Sequence, residues 1–109
     1  MNEFIEKFKN GLVIKVEREN VEKFLEIIQH NSDIHWAGGQ FPIDLNPFLV
    51  HTQRGYTYII YSKTFKGMRY LFNPKNEWKE IYNFQNYKLD LEEPVTFRKS
   101  ITEFLTEKH

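Results

Sequence analysis

Four histidines, at positions 30, 35, 51 and 109, are the first candidates for metal or proton chemistry in this chain. His30 and His35 are five residues apart, but the polar run His30-Asn31-Ser32-Asp33 between them reads as a helix exit, which separates them in direction. A zinc site needs three or four converging ligands, and the chain has no cysteine to add to them. The histidines are therefore expected to be solvated or locally hydrogen-bonded, with no metal bound. General acid–base work needs paired groups whose surroundings push their pKa values apart. Asp33, Asp44 and Asp90 fall in polar or loop segments, and most glutamates fall on faces expected to meet water. No Gly-x-Ser-x-Gly string is present, and Gly38-Gly39 lacks the spacing and following helix of a dinucleotide loop. The expectation is a protein that is not an enzyme and carries no cofactor.

The residue types better suited to this chain are those that bind. Trp36-Ala37-Gly38-Gly39-Gln40-Phe41 is its most distinctive string. Glycines let a ligand approach the backbone, Trp36 and Phe41 offer flat faces, and Gln40 offers a polar edge. The opposing and favoured reading of Trp36 is a core plug beneath a sheet. A second constellation lies in Tyr56–Lys63, where Tyr56, Tyr58 and Ile60 share one strand face and Thr57, Ile59 and Tyr61 the other. With Arg54 and Arg69 near the ends of adjacent strands, this surface could stack a base and hold a phosphate, or anchor a protein. Cross-strand packing with solvated arginine heads is the structural alternative.

The elements that must position these residues follow from pattern. At 109 residues, the chain is expected to be one domain spanning 1–109. Asn2 and the spacing of Phe4, Ile5 and Phe8 predict a helix over 2–9, ended by Gly11. Leu12–Glu17 reads as a strand. Asn20 can cap a helix whose apolar stripe is Val21, Phe24, Leu25 and Ile28. Ile34-His35-Trp36 reads as a brief strand, and the prolines of 40–47 as an ordered, extended loop. Phe48–Gln53, Tyr56–Lys63, Arg69–Asn73 and Glu77–Phe84, extended by Tyr87–Leu91, read as an antiparallel meander. Its turns fall at Arg54-Gly55, Phe65-Lys66-Gly67 and Asn73–Asn76. Glu92-Glu93-Pro94 suits a helix start, with Ser100 as the alternative start, and Phe97, Ile101, Phe104 and Leu105 supply that helix's apolar face. The fold class is α+β: an antiparallel sheet of about five strands with two to three helices, mainly on one face.

Composition narrows the partners. Fifteen basic residues balance fifteen acidic ones, whereas a nucleic-acid binder usually carries a basic excess that releases counterions from phosphates. Nucleic acid therefore ranks last among the partners. Ten Phe, six Tyr and two Trp make the chain 17% aromatic, a surplus expected to reach the surface. The charged start Met-Asn-Glu-Phe-Ile-Glu-Lys lacks a signal core, and no apolar run approaches a membrane span. The expected location is the cytosol of a host cell, with no membrane partner.

From Phe8 to Gly39 the chain resembles small phage and mobile-element proteins of low-GC bacteria. The resemblance rests on Gly11, Val13-Ile14-Lys15-Val16, Phe24-Leu25 and Ile34-His35-Trp36-Ala37-Gly38, about a third of the chain, and mostly on core positions. Proteins of this kind include counter-defence factors: anti-CRISPR proteins that bind an effector, and the nucleotide sponges of Thoeris anti-defence. The resemblance implies stoichiometric inhibition of a host immune protein; the neutral charge and surplus aromatics point to sheet aromatics and the 36–48 loop as the contact. The alternatives are sequestration of a nucleotide signal, expected at a homo-oligomer interface, and a nucleic-acid-binding accessory role. The candidate partner-binding residues are Trp36, Gly38, Gly39, Gln40, Phe41, Arg54, Tyr56, Tyr58 and Arg69.

Overall fold

The computed structural model describes residues 3–72 and the short strand Val95–Thr96. The helix expected first is α1, Glu3–Lys9, with Phe4, Ile5 and Phe8 buried. Its end is a Schellman turn. Gly11 adopts φ +118°, a conformation a Cβ would oppose, and the Leu12 N–H reaches back to the Lys7 carbonyl at 3.0 Å. Strand β1, Ile14–Glu17, follows.

Helix α2, Val21–Asn31, buries Val21, Phe24, Leu25 and Ile28, the stripe its periodicity predicts. Asn20 does not cap it through its side chain. A 3-10 turn over Arg18–Asn20 runs straight into the helix, and the Val21 N–H bonds the Arg18 carbonyl. At the far end the polar cluster satisfies the orphan carbonyls: Asn31 Nδ2 donates to Ile27 at 2.8 Å and the Ser32 hydroxyl to Ile28 at 2.7 Å.

The largest departure from expectation is Phe48–Gln53, which is not a strand. Helix α3, Pro47–Val50, occupies this position. Asn46 is its N-cap, accepting from the Phe48 N–H at 3.0 Å, and Pro47 sits where a helix needs no donor. The β-favouring side chains yield to the start signal just before them. Upstream, the expected extended loop contains a 3-10 turn over Pro42–Asp44.

Strands β2, Tyr56–Ser62, and β3, Gly67–Phe72, form the expected hairpin. Gly67 belongs to β3 and pairs with Ser62, so it lies outside the turn. Strand β4 is Val95–Thr96, hydrogen-bonded parallel to β1 at Ile14 and Lys15. The sheet order is β3-β2-β1-β4, antiparallel from β3 to β1 and parallel at β4. This corrects the fully antiparallel expectation, and four strands appear among the described residues where about five were expected. A helix start at 92–94 is also corrected at Val95–Thr96, which are extended. The strands expected at Glu77–Phe84 and Tyr87–Leu91 and the helix start at Ser100 lie outside the described residues.

Alternation divides the sheet between two apolar clusters. Ile14, Val16, Ile59 and Met68 face α1, α2 and Phe48 of α3, forming the main core with Trp36. Val13, Tyr58 and Ile60 are buried on the opposite face, with Tyr56 and Leu71 packed against them. Among the described residues the fold is α+β, with its helices on one face of the sheet.

Candidate functional site

Trp36 takes the core role. Its ring is 3% exposed, its indole N–H donates to the Pro42 carbonyl at 3.1 Å, and Tyr70 meets it edge-on at 5.6 Å. The expected brief strand survives as one parallel bridge between Trp36 and Met68. The Ala37 N–H bonds Met68 O at 2.9 Å, and the Met68 N–H bonds His35 O at 2.8 Å. This bridge lays 35–37 along the outer edge of β3. Gly38 and Gly39 then reverse the chain, and the Trp36 N–H closes the turn by donating to the Gln40 carbonyl at 2.9 Å.

An open cleft of about 430 Å³ lies where that edge meets α3. Trp36, Leu45 and Met68 supply apolar lining, and Gly38, Gln40, His51 and Tyr70 the polar part. The rings of His51 and Tyr70 are 5.4 Å apart, and a hydrogen bond joins His51 Nε2 to the Tyr70 hydroxyl. Burial raises the Tyr70 phenol above its ordinary value. The folded protein therefore keeps this proton to higher pH than the unfolded chain does. The contribution is fully present below the unfolded value near 10 and declines as pH rises through the folded value. In urea titrations above about pH 10, Tyr70→Phe should lose stability less steeply than the parent. Equal slopes would remove the assigned cause.

The other expected site residues disperse. Tyr58 is 2% exposed and belongs to the second cluster, so it offers no surface. Tyr56 is half-buried, edge-on to Tyr58 at 5.4 Å, with Lys15 Nζ 4.2 Å from its ring centroid. Packing and a surface cation cover the tyrosine pair expected to contact a partner. Arg69 lines the cleft, yet strand alternation places its side chain with Leu71, opposite Tyr70, and its guanidinium lies 4.7 Å from the Phe65 ring centroid. Arg54 is exposed and precedes β2 by two positions. Of the two arginines, Arg69 lines the cleft and Arg54 does not.

Phe41 is exposed, 5.0 Å from the His35 ring, and leads into a concentration of apolar surface. Phe41, Ile43, Leu49 and Val50 are 54%, 52%, 61% and 59% exposed, all within ten residues. For Leu49 and Val50 the cause is the shortness of α3: its single turn directs Pro47 and Phe48 inward, and at about 100° per residue the next two face out. A groove of about 280 Å³ runs between this segment and α2. Ile43, Leu49 and Val50 were not foreseen as surface residues; the Asn46-Pro47 helix start is the signal that exposes Leu49 and Val50.

Among the described residues no three His, Cys, Asp or Glu side chains gather as metal ligands, and no helix is long and apolar enough to cross a membrane. No family model, curated protein or solved structure matches the chain.

Proposed function

We propose that this chain is a non-catalytic binding domain that engages a protein through residues 41–50, and that it acts as a phage-type counter-defence inhibitor holding a host immune effector stoichiometrically. The observation that carries the binding reading is the run of four large apolar side chains, each more than half exposed, in 41–50. Scattered apolar residues on a surface are ordinary, but a concentrated patch costs solubility and usually marks a contact. The counter-defence setting is supported by the resemblance of residues 8–39 to phage proteins.

The test is phage plating on defence-bearing bacteria that express the chain. The parent should restore plaques, and Ile43→Asp/Leu49→Asp should lose the rescue while keeping its circular dichroism, because both sites are exposed. Undiminished rescue by the double variant would sink the proposed surface.

Sequestration of a nucleotide signal is the second reading, and the cleft beside Trp36, His51 and Tyr70 is the observation that favours it. Against it stands the absence of Arg54 from that cleft's lining. A nucleic-acid accessory role ranks below both, because the net charge is zero.

A further inference from the structure

The groove between α2 and the 43–49 segment carries a charge pattern that specifies its occupant. Leu25, Ile43 and Leu49 form its apolar lining, and Glu22, Glu26 and Asp44 line it as well. Among the described residues no basic side chain lines it. The arrangement follows from local geometry. Glu22, Leu25 and Glu26 stand at i, i+3 and i+4, on one face of α2. The Ile43 N–H donates to Gln29 Oε1 at 3.1 Å, which ties the 3-10 turn, and Asp44 with it, against the same helix.

Glu22, Glu26 and Asp44 give the lining a negative formal charge beside apolar Leu25, Ile43 and Leu49, and a cationic side chain is attracted to such a rim. We infer that the groove docks a basic, amphipathic segment of the partner protein. An apolar side chain of that segment enters between Leu25, Ile43 and Leu49, and Lys or Arg flanking it meets Glu22, Glu26 and Asp44. Arginine suits the rim best, since its planar fork can bond a carboxylate through two donors. The inference rests on the reading of 41–50 as a protein-binding surface and adds the chemistry of what binds there.

The probe is a short fluorescein-labelled Leu/Lys amphipathic peptide, with a Leu/Glu peptide of the same pattern as its counterpart, titrated by anisotropy onto the full chain. The Leu/Lys peptide should bind and the Leu/Glu peptide should not. Glu22→Lys/Glu26→Lys should weaken binding roughly tenfold or more, because like charges juxtaposed at an interface cost several kcal/mol. Glu6→Lys/Asp33→Lys changes net charge equally at exposed positions outside the groove and should leave most of the binding intact. Equal binding of the two peptides, or equal weakening by the two double variants, would overturn the inference. So would self-association of the chain that Glu22→Lys/Glu26→Lys disrupts, since the occupant would then be a second copy. The plating assay separates the levels. If Glu22→Lys/Glu26→Lys keeps full rescue while Ile43→Asp/Leu49→Asp loses it, the protein-binding surface stands and the basic partner falls. If both variants keep full rescue, both readings fall.

Discussion

Phe8→Ala should destabilise the domain by about 3–5 kcal/mol, the usual cost of emptying a buried phenylalanine site. Phe8 has no exposed surface and stands where three elements meet. Its ring lies 6.1 Å from Phe4 of α1, 6.1 Å edge-on from Phe24 of α2, and 6.5 Å from Tyr61 of β2. Aromatic pairs of this kind add to simple area burial, so truncation removes several favourable contacts at once. The surrounding rings are held by different elements and cannot all collapse into the void. Domains of this size have about 5–15 kcal/mol in total, so the variant should be partly unfolded at moderate temperature. Phe8→Leu keeps most of the volume and should cost less than about 1.5 kcal/mol. Urea midpoints followed by circular dichroism measure both. A loss below about 1 kcal/mol for Phe8→Ala would show that α1 is not part of the cooperative core.

Gly67→Ala should also destabilise, and its sign is the informative part. Alanine in a strand interior normally improves on glycine by roughly 0.5–1 kcal/mol, because glycine loses more backbone freedom on folding. Here a Cβ at position 67 would sit 2.6 Å from Ala37 N, 2.7 Å from Ala37 Cα and 2.7 Å from Trp36 C. All three are backbone atoms, with no side chain to rotate away. Either the 35–37 segment lifts off β3 or β3 bends. Both break the pair of hydrogen bonds around Met68 and release the anchored Trp36. Overpacking of this kind costs about 1–3 kcal/mol, and the rigid neighbours place the expected value at the upper end. Hydrogen exchange gives the local readout: the Ala37 and Met68 amides should lose protection before the β1–β2 ladder does. A stabilised variant with those amides still protected would contradict the close approach.

Both predictions depend on contacts between segments distant in sequence, and they mark how far the chain could be read. α1, β1, α2 and the β2–β3 hairpin were legible, because each rests on a period of 3.6 or 2 carried by its own residues. The reading failed at Phe48–Gln53, where β propensity was weighed above the Asn46-Pro47 start, although that start was present in the sequence. Failure at Gly67 had a different origin. Nothing local separates a glycine needed in a turn from one needed so that another segment can touch the strand. The candidate site divides in the same way. Phe41 is exposed and Trp36 is buried, as its structural reading expected. Tyr58, assigned to a surface by alternation, is buried because alternation says which residues share a face and not whether that face is covered.

What the sequence determined by itself is the class of the fold and the apolar stripe of α2. Those are properties of composition and of short-range geometry. Tertiary structure alone decided that 35–37 lies against β3 and that β4 runs parallel to β1. It also decided that Leu25, Ile43 and Leu49 share a groove with three carboxylates. Each of these depends on which distant segments approach one another, and that is set by packing the whole apolar set at once rather than by any local pattern.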